Sequence, residues 1–363
     1  MSAPIARPGI MDIEAYVGGT AKLPGVDHVI KLSSNEGALG PSPRAVAALT
    51  AQAGDMHRYP DGHSVKLRQA LAAAWGLDAE RVVCGCGSDD LLQLLVHAYV
   101  GSGDEVLYSE HGFLIYPIAA KAVGATPVAA AETELTTSVD SLLAKVTPRT
   151  RAVFIANPNN PTGTYLPAEE MRRLREGLPD GVLLVIDAAY AEYVSRNDYS
   201  AGADLVDQRD DVVMTRTFSK IYAMGGLRLG WAYCPPAVAE VLNRIRGPFN
   251  VSSAAQAAGL AAVEDAGFLD LSRRHNDYWR PWLVDELTRL GLEVVPAVAN
   301  FILVRFPPTG GRSAAEADAF LRRRGIIVRG VAAYGLPDYL RITIGSGDEM
   351  RAVAAALGDF MGA

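Results

Sequence analysis

Short runs rich in Val, Ile, Leu and Ala recur through the first two thirds of the chain. Glu105 to Tyr108, Thr126 to Ala129, Ala152 to Ala156, Val182 to Ile186 and Val212 to Met214 each read as a short apolar strand, and Arg81 to Cys84 as another. A strand with one wet face alternates apolar and polar residues; these stay nearly continuous. Strands buried on both faces belong to a mostly parallel sheet with helices on either side. The intervening stretches supply such helices. Ser64 to Trp75 is closed by Gly76, and Ser88 is placed to cap a helix with Asp89 and Asp90 in its first turn. The fold class is therefore α/β.

The rhythm changes after Tyr233. Two helical stretches lead to a long one, Gly267 to Leu290, and then short strands and helices mix to the C-terminus. A chain of 363 residues is long for a single core, so two domains are expected. The expected division is an N-terminal arm at 1–40, a large domain at 41–267 and a smaller α+β domain at 268–363. Within the arm, Ile10 to Tyr16 reads as a short helix stopped by Gly18-Gly19. An arm so isolated from any core is expected to pack on another domain or subunit.

Charge and cysteine usage exclude several functions. A net charge of −7 with no basic stripe argues against nucleic acid and anionic membranes as partners. No run of about twenty apolar residues suits a membrane span. The N-terminus lacks the pattern of a secretory signal, so a cytoplasmic protein is expected. Cys84, Cys86 and Cys234 make no disulfide framework; Cys84 and Cys86 read as small buried residues at a strand end. The histidines show no metal spacing, so no metal is expected; His111 reads as structural.

The stretch Thr215 to Gly230 carries the chemistry. It holds one lysine, Lys220, flanked by Thr217 and Ser219 and followed by Gly225-Gly226 and Arg228. A Schiff-base lysine must be pocketed and partly deprotonated. Hydroxyls beside it and an arginine beyond it can bind one anion. Together they point to a phosphorylated aldehyde held covalently, pyridoxal phosphate. The alternative is an ordinary strand-to-helix loop with a surface lysine.

Other strand ends add to this. Asp187 follows five apolar residues, where an acid is unfavourable unless it meets a cation such as a protonated pyridine nitrogen; a magnesium ligand or a loop cap is the alternative. Tyr190, three residues on, can reach the same ring's phenolic oxygen. Asn157-Pro158-Asn159-Asn160-Pro161-Thr162-Gly163 is a rigid turn at a strand's C-terminal end, where open α/β sheets bind ligands, and Asn160 can donate to a flat cofactor; a plain turn is the alternative. Gly85-Cys86-Gly87-Ser88-Asp89 joins a strand to a helix start and can cradle a single phosphate. One of Phe113 and Tyr116 can stack on a ring, core packing being the other reading of Tyr116. Arg341 interrupts an apolar strand, and Arg329 stands beside Gly330; each suits a substrate anion or a structural ion pair.

The series of these elements resembles the fold-type I pyridoxal-phosphate aminotransferases, and most closely the histidinol-phosphate aminotransferases. The resemblance rests on Leu32-Ser33-Ser34-Asn35-Glu36, Arg58-Tyr59-Pro60-Asp61-Gly62, Asn159-Asn160-Pro161-Thr162-Gly163, Ile186-Asp187-Ala188-Ala189-Tyr190, Thr217-Phe218-Ser219-Lys220 and Leu340-Arg341-Ile342-Thr343-Ile344-Gly345. It implies a large domain with a mostly parallel seven-stranded sheet between helices, and a smaller C-terminal domain. By the same resemblance Lys220 carries the cofactor, Asp187 pairs with the pyridine nitrogen, and Asn160 and Tyr190 hold the ring oxygen. The amides of Ser88 and Asp89, with Thr217, Ser219 and Arg228, hold the phosphate, and Phe113 stacks on the ring. Tyr59 reaches the neighbouring subunit's site, which implies a homodimer. Tyr16, Asn35, Arg329 and Arg341 line the substrate site.

The implied reaction moves the amine of L-histidinol phosphate to 2-oxoglutarate, forming L-glutamate. An aromatic amino-acid aminotransferase and a decarboxylase of phosphorylated amino acids are the rivals on this fold. A cofactor-sensing regulator would need an added DNA-binding domain, for which the chain has no room. Gly37-Ala38 and Ala188 depart from the family's frequent residues, with no expected effect on the cofactor roles.

Overall fold

The computed structural model describes residues 4–7, 9–25 and 28–362. Its central element is the strand Leu183–Asp187, buried throughout, in the middle of a seven-stranded mixed sheet. Across the sheet the order is Val82–Gly85, Gly230–Tyr233, Val212–Thr217, Leu183–Asp187, Thr150–Ala156, Glu105–Ser109, Thr126–Ala130. Gly230–Tyr233 runs antiparallel to both neighbours and the other strands run in one direction. That strand was not legible in the sequence: it is short, opens with glycine and follows the lysine loop directly. Period-two alternation explains the continuous apolar runs. Val153, Ile155, Leu184, Ile186, Val212 and Met214 pack into the core on one face, while Phe154, Leu183, Val185 and Val213 pack into the core on the other.

The helix Ala266–Arg289 leads from this sheet to a second, antiparallel one. The order there is Glu293–Val295, Phe301–Arg305, Leu336–Thr343, Arg329–Val331. The helices Ala314–Arg323 and Gly347–Met361 bury its apolar side, and each opens with a capping box, from Ser313 to Glu316 and from Ser346 to Glu349. Ile30–Lys31 pairs parallel with Ile326–Ile327. This two-residue pairing, too short to read in sequence, delivers the following Leu32 to Asn35 to the space between the two sheets.

Three local expectations are corrected. Ile10 to Tyr16 is not a helix; only Ile10–Asp12 forms one 3-10 turn, because no buried face holds it. Ser88 is the first helical residue rather than the cap, which is Gly87 at φ 89°. Cys86 is exposed, since it lies past the strand end in the turn to the helix; Cys84 and Cys234 are buried. Among the described residues no helix is long and apolar enough to cross a membrane.

Candidate active site

A cavity of about 370 Å³ opens where the parallel strands end. Its lining brings together Tyr16, Asn35, Ser88, Asp89, Phe113, Asn160, Asp187, Tyr190, Thr217, Ser219, Lys220, Arg228, Arg329 and Arg341. Strand register accounts for much of this. Asp187 lies beside Ala156 on one side and Thr215 on the other. Asp187 shares a face with Leu183 and Val185, as Thr217 does with Val213 and Thr215. Arg216 points to the opposite face, where it pairs with buried Glu192 at 2.9 Å over the ring of Trp75.

One wall is built for an anion. The helix Ser88–Tyr99 begins there with free amides. Thr217 Oγ1 donates to Ser219 Oγ and accepts from the Ser219 amide at 3.1 Å. Arg228, in the left-handed region at φ 53°, extends its guanidinium to Ser219 Oγ and Asp89 Oδ1, the latter at 2.7 Å. A Cβ at Gly87 would strike Arg228 Nη2 and Asp89 Oδ1, and one at Gly230 would strike the Ser88 amide. Gly230 needs glycine for this close approach of backbone, and Gly87 for its φ of 89°.

Between this wall and the second sheet stand two buried groups with displaced titrations. Burial pushes the Lys220 ammonium down to about 8, and the nearby Arg341 guanidinium acts in the same direction. A fraction of Lys220 is therefore the free amine near neutral pH. Lys220 Nζ donates to the Ser34 carbonyl at 3.3 Å. Burial pushes Asp187 up to about 6, against hydrogen bonds from Tyr116 and Thr215 and the charge of Lys220. A buried acid of this kind is short of a cation, which a protonated ring nitrogen supplies.

Asn35 joins the two sheets. Its backbone sits at φ 55°, which asparagine tolerates better than most residues. Its side-chain Nδ2 donates to Tyr190 Oη at 2.9 Å, and Thr343 Oγ1 donates to its Oδ1 at 3.1 Å. Asn300 donates to its carbonyl at 3.1 Å. Asn300 carried no signal in the sequence, and Thr343 stood there within a family-like stretch but without a role, because their partners are far away along the chain. Tyr334 also lines the cavity unpredicted.

Arg329 and Arg341 are directly opposite each other on antiparallel strands, so their side chains leave the same face. Like charges in such a pair oppose folding unless an anion joins them. Arg341 is buried, donates to Asn160 Oδ1 and to the Ser33 carbonyl, and keeps an unpartnered Nε. Its bond to Asn160 turns that residue's NH₂ away from the guanidinium. Arg329 donates to the Val17 carbonyl at 2.8 Å, which ties down the arm beside Tyr16.

Some residues fall elsewhere. Tyr59 is not in this cavity: it is 82% exposed and stacks on Phe249 at 4.6 Å. His111 pairs with Glu132 at 2.9 Å. Gly37 lies nearer the chemistry than its sequence suggested. A Cβ there would strike Ala223 and the Lys220 carbonyl, so this departure from the family pattern packs against the lysine loop. Lys220 as a concealed amine, the anion wall and the cation-seeking Asp187 fit pyridoxal phosphate.

A family model described as aminotransferase class I and II matches residues 27–357. The histidinol-phosphate aminotransferase of Paramagnetospirillum magneticum is 64% identical over 363 residues, covering 100% of both chains. That of Rhodospirillum centenum is 61% identical over 361 residues, 99% of each chain. The crystal structure of histidinol-phosphate aminotransferase from Sinorhizobium meliloti in complex with pyridoxal-5'-phosphate has a TM-score of 0.89 to this chain. It is 29% identical and covers 99% of this chain and 98% of its own.

Proposed function

The chain belongs to the class I and II aminotransferase family, and we propose on that premise that it transfers the amine of L-histidinol phosphate to 2-oxoglutarate. The products are imidazole-acetol phosphate and L-glutamate, the cofactor is pyridoxal phosphate, and the pathway is histidine biosynthesis. The observation that carries the reading is the Arg329–Arg341 cross-strand pair facing the same cavity as Lys220. Two guanidiniums held side by side suit a phosphate, which a phosphorylated amino donor brings. They suit the carboxylates of glutamate equally, so one site serves both half-reactions.

Bound pyridoxal phosphate supplies an electron sink for the charge left when a proton leaves the amine-bearing carbon. Lys220 holds it and, once freed, accepts that proton at Nζ, since burial keeps part of the lysine neutral. Asp187 keeps the ring nitrogen protonated. Asn160, oriented by Arg341, and Tyr190, oriented by Asn35, hold the ring oxygen. Ser88, Asp89, Thr217, Ser219 and Arg228 hold the phosphate, and Phe113 covers one ring face. Arg329 and Arg341 bind the substrate anion, with Tyr16 and Asn35 at its side. Two half-reactions on one site give ping-pong kinetics.

The active unit is a homodimer in the cytoplasm. Exposed Tyr59 and Phe249, with Met56 exposed nearby in sequence, support a second copy covering this surface and Tyr59 serving the neighbour's site. The test is amino transfer to 2-oxoglutarate from histidinol phosphate, phenylalanine and tyrosine in parallel. The highest kcat/KM should belong to histidinol phosphate. Preference for phenylalanine or tyrosine would replace this reading with an aromatic aminotransferase, and carbon dioxide release without 2-oxoglutarate with a decarboxylase.

A further inference from the structure

Tyr116 occupies the first turn of the helix Ile115–Ala122 and is fully buried. Its ring stacks on Phe154 at 5.1 Å and meets Phe113 edge-on at 5.9 Å. A phenylalanine would fill such a place as far as packing goes. The hydroxyl, which must find a partner when buried, donates to Asp187 Oδ2 at 2.9 Å. Among the described residues the other donor to the Asp187 side chain is Thr215, whose Oγ1 lies 3.4 Å from Oδ1, long for an O–H···O⁻ bond.

We propose that Tyr116 is the positioning residue of Asp187, fixing the carboxylate in one orientation, ionised, for the cofactor's ring nitrogen. The inference rests on the cofactor chemistry proposed above. The helix start that sets Phe113 on the cavity wall also sets Tyr116 behind Asp187, so the ring's face and its nitrogen are located by one element. The charge balance points the same way. Burial favours the neutral carboxyl; the phenol's hydrogen bond, Thr215 and Lys220 favour the ionised one, and Asp89 opposes it. Without the phenol Asp187 becomes the stronger base and draws the shared proton away from the ring nitrogen. The electron sink weakens, although no group touching the cofactor has changed.

Tyr116→Phe removes one oxygen and keeps the packing. In cofactor-free protein selectively labelled at aspartate carboxyls, the Asp187 titration followed by 13C NMR should rise by about one to two pH units. Cofactor affinity should fall about tenfold, and kcat should fall with KM for the amino donor unchanged. Tyr108→Phe alters the same aromatic cluster without touching Asp187, and should change none of these. If Tyr116→Phe does not fold, because it strands a buried carboxylate, the pair Tyr116→Phe with Asp187→Asn removes that charge. Its cofactor affinity and absorbance should equal those of Asp187→Asn alone, and any further loss overturns the proposal. An unchanged titration and affinity in Tyr116→Phe also overturn it, with wild-type transamination intact. Wild-type protein that binds no pyridoxal phosphate sinks instead the cofactor reading on which the proposal stands.

Discussion

Asp187→Asn should stabilise the cofactor-free protein while disabling the enzyme. Burial raises the Asp187 carboxyl from 3.8 to about 6 in the fold. The native state therefore binds more protons than the unfolded chain between those values, and stability falls as pH rises through that window. Above pH 6 the deficit is complete. At ~1.36 kcal/mol for each pKa unit it amounts to about 3 kcal/mol at pH 8, and about half of that at pH 5. Asparagine does not titrate and can still accept from Tyr116. The variant should thus exceed wild type by an amount that grows from pH 5 to pH 8. Urea unfolding of both cofactor-free proteins at the two pH values measures it. Saturating pyridoxal phosphate should close or reverse the gap, because the bound ring nitrogen gives wild type its missing cation. Turnover of the variant should drop by about two to three orders of magnitude, as for a lost electrostatic partner in a dry site. A gap that does not change with pH, or wild type the more stable at pH 8 without cofactor, would refute the reasoning.

Lys220→Ala should abolish turnover, and borohydride-reduced wild type should carry the cofactor mass on the peptide containing Lys220; its appearance on another lysine disproves the assignment. Arg341→Ala should weaken both half-reactions by roughly 2–5 kcal/mol, the loss for a buried charge pair, while cofactor binding survives. Followed separately by cofactor absorbance, two normal half-reactions would make the arginine structural. Mixing inactive Tyr59→Ala with inactive Lys220→Ala should restore activity through heterodimers with one intact site, and no recovery after confirmed subunit exchange counts against a shared site.

The sequence by itself determined the α/β class, because strands buried on both faces leave no polar alternation and only one kind of sheet. It also marked Lys220, Asp187 and Asn160, since each breaks an apolar run or a turn at a strand end, a local anomaly visible in a few residues. Tertiary structure alone decided the links between distant segments. The pairing of Ile30–Lys31 with Ile326–Ile327 holds Asn35 where it meets Thr343 and Tyr190. Tyr116 gave no sign of its bond to Asp187, because a tyrosine in an apolar helix reads the same whether its hydroxyl meets solvent or a carboxylate. The pairing of Arg329 with Arg341 followed from strand register, which a one-residue slip would have undone by turning one guanidinium to the other face. Hydrophobic pattern is local and survives in the chain. Hydrogen-bond partnership is set by the packing of elements far apart in sequence, and appears only when the two sheets come together.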